Sequence, residues 1–500
     1  KGACALFGLP ASGRAQVYAA LCRQLDKPLC IVTPGEAEAT RFAADLNTLG
    51  IPAAVFPARD YVLRPIEGTA REYEYRRLAV LGELVGGRLR AVAVPAEALT
   101  QFTTPKEDFC ANTRTLHAGD TLLRDDLLAA LFGAGYTRRA QVDGPGQFSV
   151  RGDIVDIFAP DQKMPVRMEF WGDEIDTLHT FDLTTQRRED AIDKFYLSPA
   201  REVLFGKPAD AAEQLRAFLA KQRGKKKTAM ADCMAADLDL LDGGAVPVNM
   251  DKYLAVRYPH PATVLDYFDD PILVAEEPAS IREADRATAY RRGEELKSLI
   301  LDGVLCAGLD NLYADPSYLW SKTGHYRTIC AENFARSMPD QPLKDIINTP
   351  AHTLPAWNGE VAGLLEDLKP LCDAGYTVTL LAGTDRAAAG LARDLRDKGI
   401  LVTTDAAAAP AAGLVQVLAG HLSAGCEFPF VKYALLTGRA FGETSSQKKK
   451  RKKAKDALNS LTEITPGDLV VHQNHGIGRY AGIQRMAVQG VTKDYLRIEY

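Results

Sequence analysis

Two glycines near the start of the chain, Gly8 and Gly13, have the spacing of a loop that binds nucleotide phosphates. They follow a strand-like segment and precede a helical one, which is the context that such a loop needs. The motif continues with a lysine for the β- and γ-phosphates and a hydroxyl for Mg²⁺, but Arg14 and Ala15 occupy those positions. Alanine has no oxygen for a metal, and a planar guanidinium poorly replaces a compact ammonium. We therefore predict a degenerate phosphate loop that does not hydrolyse ATP.

A second segment could complete the same chemistry. The apolar run ILVAEEP, at positions 272–278, resembles the strand that holds the acidic pair of a nucleotide site, with Glu276 and Glu277 in place of an Asp–Glu pair. Acidic residues at a strand end also serve solubility alone. We favour the interpretation that Glu276 and Glu277 serve solubility, because the loop that would hold the nucleotide is degenerate.

Other catalytic or metal-binding patterns are weak. His472 and His475 are three residues apart in a C-terminal loop, without a cysteine or carboxylate cluster beside them, so we predict no metal site. No Ser-His-Asp arrangement or paired-carboxylate pattern stands out. The nine cysteines form no CxxC pair, which favours a reduced, cytoplasmic protein with buried thiols over a disulfide scaffold or a zinc site.

The strongest candidate for a binding surface lies between Gly144 and Phe181. Alternation along one strand places Val166, Met168 and Phe170 on one face and Arg167, Glu169 and Trp171 on the other. We expect the first face to pack and the second to face a partner, since Trp and Arg are enriched among interface hot spots. The alternative is that Trp171 caps a second core layer. Gly172 and Asp173 predict a hairpin turn.

Composition limits the possible classes of protein. The 500 residues imply roughly three to five domains, since single cores stop growing near ~250 residues. A hydrophobic share of 46% and a charged share of 25% are ordinary for a globular protein. The net charge of −5 restricts any nucleic-acid contact to local patches. No apolar run is long enough to span a membrane and no charged-then-apolar leader stands out, so we expect a chain that is neither transmembrane nor secreted as given.

These patterns predict an α/β multidomain protein. Strand-like and helical segments alternate up to about residue 115, give way to short strands with Gly and Pro turns, and then resume, with a lysine-rich loop at Gly224–Lys227. We divide the chain into a first α/β part (1–115), an α+β insert (116–200), a second α/β part (201–345), a further α/β domain (346–445), a basic linker (446–463) and a small β-barrel (464–500).

The last two parts each allow two interpretations. The block Lys448–Lys453 is uninterrupted basic sequence, which could bind nucleic acid or act as a localisation signal, but a self-repelling spacer is the commoner use. The barrel could recruit a partner by strand addition or serve only as a spacer domain. Lys1 leads almost directly into a strand and Tyr500 ends an unfinished one, so we expect a piece of a longer protein.

Two motifs resemble one family. GYTRRAQVDGPGQFSVRGDIVDIF and PVRMEFWGDEIDTLHTFD, at 135–158 and 165–182, resemble the UvrA-binding domain shared by the excision-repair protein UvrB and the Mfd family of transcription-repair coupling factors. GDLVVHQNHGIGRYAGI, at 467–483, is similar to the RNA-polymerase-interacting domain that this family shares with CarD-type regulators. UvrB lacks that second domain, so the combination indicates the coupling factors.

The resemblance implies a fold and site residues. It implies a degenerate, helicase-like, UvrB-like α/β module, an inserted UvrA-binding domain and a CarD/Tudor-like barrel. By position, the UvrA-contacting residues would be Arg151, Arg167 and Trp171, the last of which is often phenylalanine in the family. Contacts to the RNA polymerase beta subunit would lie around Ile483 to Met486.

The resemblance also implies a function. The chain would hold stalled RNA polymerase and recruit UvrA to start nucleotide excision repair. The motor domains, which use ATP and Mg²⁺ to translocate on double-stranded DNA, would follow Tyr500, so this chain would need no cofactor. In this family a motor-side domain is thought to cover the UvrA surface at rest. Two alternatives remain: a UvrB-like damage-verifying helicase, and a CarD-like transcription regulator without a repair role.

Overall fold

The computed structural model describes residues 2–65, 71–335, 342–357, 361–409, 411–438, 467–472, 476–488 and 491–499. They fall into two compact units, residues 1–439 and 440–500, which are described separately. Among the described residues, no helix has both the length and the apolar character to cross a membrane.

A seven-stranded parallel sheet forms the core of the first unit. Central strands such as Leu29–Thr33 and Ala91–Pro95 are buried at every position, as expected where helices cover both faces. The strands from one edge to the other are Leu343–Asn348, Gly2–Phe7, Arg327–Glu332, Ile272–Glu276, Leu29–Thr33, Ala91–Pro95 and Ala53–Val55. Strands from before residue 96 and after residue 271 share this sheet, which confirms the predicted parallel α/β architecture. The predicted boundary at residue 345 falls inside its edge strand.

Helices flank this sheet and continue beyond it. They are Ala11–Leu25, Glu36–Thr48, Glu72–Val85, Ala96–Leu99, Lys106–Ala111, Pro208–Ala220, Gly224–Asp242, Leu254–Arg257, Pro278–Leu301 and Tyr318–Lys322, with 3₁₀ turns at Met250–Tyr253 and Val264–Tyr267. The predicted lysine-rich loop at Gly224–Lys227 is wrong, because these residues form the first turn of a helix. Lysine is a good helix former, and the buried Met230 and Met234 of the same helix hold that turn near the core.

Two small sheets form the insert between these parts. The six-stranded sheet has the order Arg188–Ala191, Glu174–Phe181, Val166–Trp171, Ile154–Phe158, Gln147–Arg151 and Thr137–Arg138, and is antiparallel except at its last pair. Helix Arg124–Gly133 covers one face of this sheet through Leu127 and Leu131. The second sheet pairs Arg114–His117 with Lys194–Leu197, at the two ends of the insert.

A mixed six-stranded sheet occupies residues 352–437. Its order is His352–Leu354, Gly425–Phe428, Tyr433–Thr437, Thr377–Leu381, Val415–Leu418 and Val402–Thr403. Helices Val361–Asp373 and Asp385–Asp397 accompany it, with a 3₁₀ turn at Pro429–Val431. This α/β segment packs against the first sheet's helices, since Ser423 donates to Asp45 Oδ2 at 2.6 Å.

In the second unit, the described residues form a three-stranded antiparallel sheet of Leu469–His472, Gly476–Val488 and Val491–Glu499. The predicted barrel is not confirmed by these strands. The basic block Lys448–Lys453 and His475 lie outside the described residues, and of His472 only the backbone is described. Most cysteines are buried or half-buried, as expected, but Cys110 is exposed.

Candidate docking surface

Alternation in the central strands of the insert separates two faces of its sheet. Val155, Val166 and Met168 point to the same side and pack in one apolar cluster with helix Arg124–Gly133, as the sequence predicted. The opposite side carries Arg151, Asp156, Arg167, Glu169 and Trp171, which we call the docking face. Register brings Asp156 directly opposite Arg167 on the neighbouring strand, and such cross-strand pairs have side chains in contact.

Asp156 is the centre of the docking face. Its side chain is 1% exposed and accepts from Arg167 at both oxygens, from Nε at 2.7 Å and from Nη2 at 2.9 Å. The Arg167 guanidinium also donates to the Gln186 carbonyl at 3.2 Å and lies 4.7 Å from the centre of the Phe181 ring. Hydrogen bonding to Asp156 raises the pKa of Arg167. Arg167 therefore pairs internally rather than facing solvent, contrary to the expectation that it looks outward.

Arg151 shares the same carboxylate but is more accessible. Its Nη2 donates to Asp156 Oδ2 at 2.9 Å, and its side chain is 48% exposed. The same nitrogen lies 3.3 Å from Gln186 Oε1. Its Nε and Nη1 make no hydrogen bond within the part of the chain that the structure describes. The two arginines thus differ: one is fixed by a bidentate pair, and the other retains free donors.

Trp171 is the most exposed member of the docking face, at 82%. The alternative that it caps a second core layer is therefore wrong. It ends the strand Val166–Trp171, directly before a turn in which Gly172 has a left-handed φ of 64°. The predicted hairpin turn is confirmed, since Trp171 pairs with Glu174 across it.

A second ion pair and a second turn border this face. Arg188 from the edge strand binds Glu169. Beside the Trp171 turn, Arg124 donates to the Gly152 carbonyl at 2.8 Å, and the adjacent Leu123 is 53% exposed. Gly152 also has a left-handed φ, of 60°. Leu123, Arg124 and Trp171 thus lie at the same end of the sheet, where Arg124 is also 3.4 Å from Asp153.

The position of Asp156 is indicated by the sequence pattern around it. It lies in the alternating run Ile154–Phe158 and points to the face opposite that of Val155 and Ile157. A buried carboxylate there requires a cationic partner, and Arg167 supplies it. Gln186 carried no such signal, because its role depends on a left-handed backbone at φ 58°.

Arg14, from the predicted degenerate phosphate loop, belongs to an ion-pair cluster. The helix begins at Ala11, so Gly13 and Arg14 are already helical. Arg14 lies 3.2 Å from Glu276 and 2.8 Å from Glu277. Solubility does not explain Glu276, which is buried and accepts from the Tyr18 hydroxyl at 2.5 Å. Burial raises the pKa of Glu276 to about 7.

The neighbouring α/β segment closes this loop further. A β-carbon on Gly13 would lie 3.0 Å from Cys426 Sγ and 3.4 Å from the Phe428 ring. Both belong to the strand Gly425–Phe428. At Gly13, the space beside the helix is therefore filled by this strand.

The predicted polymerase-contacting residues lie on the long central strand of the C-terminal sheet. Ile483 pairs with Leu496 and Met486 with Lys493 in the antiparallel register. This register places them on one continuous strand, Gly476–Val488.

Comparisons with known proteins match the two motifs. Residues 115–203 match the family model of the UvrB interaction domain, and residues 464–500 match that of the CarD-like/TRCF RID domain. Three similar relatives are transcription-repair-coupling factors, from Bacillus subtilis (27% identical), Staphylococcus haemolyticus (26%) and Staphylococcus aureus (24%). Each alignment covers 99% of this chain and 43% of the relative. The resemblance inferred from the motifs is thereby confirmed: over almost its whole length, this chain is similar to transcription-repair-coupling factors.

Proposed function

We propose that this chain is the recruiting part of a transcription-repair coupling factor. The docking face binds UvrA, and the C-terminal sheet binds the beta subunit of RNA polymerase, so that nucleotide excision repair starts where transcription has stalled. The two family matches support this assignment. ATP-driven translocation on double-stranded DNA, with Mg²⁺, would belong to the part of the relatives that this chain does not span.

The exposure of Trp171 is the observation that carries the UvrA part of the proposal. A tryptophan 82% exposed on a regular strand leaves a large apolar surface in water. Burying roughly 150 Å² of it against a partner would gain about 3 to 4 kcal/mol. The strand already fixes its backbone, so little conformational entropy is lost on binding.

The two arginines have different roles in this proposal. Arg151 keeps two nitrogens without a hydrogen bond to the described residues, so it can donate to a carboxylate of the partner. Arg167 is 13% exposed and held by Asp156, so it acts as a positioning residue. Asp156 connects the two, because it accepts from both guanidinium groups.

The test is binding of purified UvrA to the chain and to matched variants. Trp171→Ala should raise the Kd about 30-fold or more, since hot-spot truncations cost about 2 kcal/mol or more. Phe430→Ala is the control, because Phe430 is an aromatic residue 90% exposed in the 3₁₀ turn Pro429–Val431, outside the insert, and it should leave the Kd unchanged. Unaltered binding by Trp171→Ala, or no binding by the folded intact chain, would contradict the proposal.

The polymerase part needs its own measurement. Exchanging Ile483 and Met486 for aspartate should weaken capture of the RNA polymerase beta subunit while leaving UvrA binding intact. If polymerase binding persists and UvrA does not bind at all, the CarD-like alternative gains support.

We also propose that this chain does not hydrolyse ATP. Arg14 is engaged by Glu276 and Glu277, and Ala15 offers no oxygen for Mg²⁺. Phosphate release from ATP should not exceed the background rate, with or without DNA. ATP hydrolysis by the intact chain that is lost in the Glu276→Gln variant would support the helicase alternative.

A further inference from the structure

The connection between two helices forms a concentrated basic surface. Helices Pro208–Ala220 and Gly224–Asp242 pack against each other, and residues 221–227 comprise their connection and the first turn of the second helix. Five cations lie within these seven positions, and we call them the basic hairpin tip: Lys221, Arg223, Lys225, Lys226 and Lys227. All five are exposed, and within the described ranges none is in a salt bridge.

No acidic residue lies close to this charge along the chain. Residues 221–229, all of which the structure describes, contain no acidic residue. The nearest acidic residues along the two helices are Glu213 and Asp232, eight and five positions from the tip's outermost cations. The whole chain carries a net charge of −5, so the tip is a local positive field on a protein that is otherwise acidic.

Helix stability does not account for these lysines. Three of them lie in the first turn of Gly224–Asp242, which holds no acidic residue. Cations at this end of a helix oppose the helix dipole, whereas acidic residues there would stabilise the helix. The helix is instead anchored by Met230 and Met234, which are fully buried. The stability of this helix therefore does not explain the three lysines.

The composition of the tip identifies the class of ligand. Protein interfaces are depleted in lysine and rely on aromatic anchors, but residues 221–229 contain no aromatic or large aliphatic side chain. Surfaces that bind nucleic acid are strongly basic and contact mostly phosphate. Single strands are held by bases stacked on aromatic rings, which this tip does not offer. We propose that the basic hairpin tip binds the phosphate backbone of double-stranded DNA without sequence preference.

This site is distinct from the docking face and does not depend on the proposed function. It lies on the helices that follow the insert. Its five cations determine how strongly DNA binding should depend on salt. Five phosphate contacts would give a slope of log K against log salt of about −4.5, and each cation removed would reduce the slope by about 0.9. Non-specific affinity is weak at physiological salt, so low salt is the proper condition.

The test is fluorescence anisotropy with a labelled 30-base-pair duplex of arbitrary sequence, at several salt concentrations near and above 50 mM. The hairpin variant carries Lys225→Gln, Lys226→Gln and Lys227→Gln. The matched control removes the same charge from the basic linker, by Lys448→Gln, Lys449→Gln and Lys450→Gln. Glutamine is a good helix former, so the hairpin variant should keep its fold, which circular dichroism and thermal unfolding would check.

The hairpin variant should bind the duplex at least tenfold more weakly, with a slope smaller by about 2 to 3. The linker variant should lose less than threefold, and a single strand of the same sequence should bind more weakly than the duplex. The proposal is overturned if the intact chain does not bind the duplex, if the single strand binds as well, or if the linker variant loses as much affinity as the hairpin variant.

Discussion

Replacing Arg167 should destabilise the insert, whereas replacing Trp171 should not. Arg167→Ala removes both nitrogens that bind Asp156, whose side chain is 1% exposed, and leaves only the single contact from Arg151 at 2.9 Å. Breaking a buried pair by removing one partner costs about 3 to 5 kcal/mol. Because Arg151 still donates to Asp156, we expect a loss of stability at the low end of this range, about 3 kcal/mol. Loss of the contact with Phe181 acts in the same direction. Trp171→Ala removes an exposed side chain and should cost within about 0.5 kcal/mol.

Native-state hydrogen exchange suits this test, because a chain of several domains has no single unfolding free energy. In Arg167→Ala, amides of the strands Ile154–Phe158 and Val166–Trp171 should exchange about 100-fold faster, which corresponds to about 3 kcal/mol. Adding Asp156→Leu to an Arg167→Met variant should restore protection, because an apolar pair needs no charge compensation. Unchanged protection in Arg167→Ala, combined with lost UvrA binding, would refute the reasoning and make Arg167 a contact residue.

Three further predictions concern other buried carboxylates. Asp285 borders a cavity of about 180 Å³, and burial raises its pKa from 3.8 to about 6. The folded state then binds its proton more tightly, so stability falls as the pH rises from about 4 to about 6. Asp285→Asn should therefore stabilise helix Pro278–Leu301 by up to about 3 kcal/mol at pH 7.5, and by less at pH 5, in native-state hydrogen exchange. Equal gains at both pH values would contradict this. Arg14→Met should speed exchange in helix Ala11–Leu25, since it leaves Glu276 buried without its cation, and unaltered exchange would contradict a structural role. Ser423→Ala should destabilise helix Glu36–Thr48 by about 1 to 3 kcal/mol, because Asp45 loses the hydroxyl bond at 2.6 Å; unchanged hydrogen exchange in that helix would contradict this.

Hydrophobic periodicity and composition predicted the secondary-structure elements of the fold well. Buried apolar runs such as Leu29–Thr33 identified the parallel sheet, and alternation along Val166–Trp171 separated the packed face from the outer one. These features are local, since they depend on residues next to one another in the chain. The domain boundaries and the UvrA-contacting roles remain predictions.

Pairings between distant residues could not be predicted in the same way. Arg167 was expected to face outward, because nothing in its own strand indicates that register places Asp156 opposite it. Glu276 was assigned to solubility, because its partner Arg14 lies more than 250 positions away. The lysines of Gly224–Lys227 suggested a loop, because charge clusters are common in loops. The helix that they begin is held instead by Met230 and Met234, which are spaced one turn apart and become buried only in the folded protein.

The paired strands Arg114–His117 and Lys194–Leu197 have a consequence for the order of folding. Arg114 pairs with Leu197, so a folded insert returns the chain to within one strand spacing of its starting point. The strands of the parallel sheet that flank the insert in the chain end at Pro95 and resume at Ile272, and both pair with Leu29–Thr33. They are then joined by a loop that is effectively about half as long. Halving a loop lowers its closure entropy cost by about 0.6 kcal/mol. An insert that folds first would therefore speed the assembly of the sheet from which it projects.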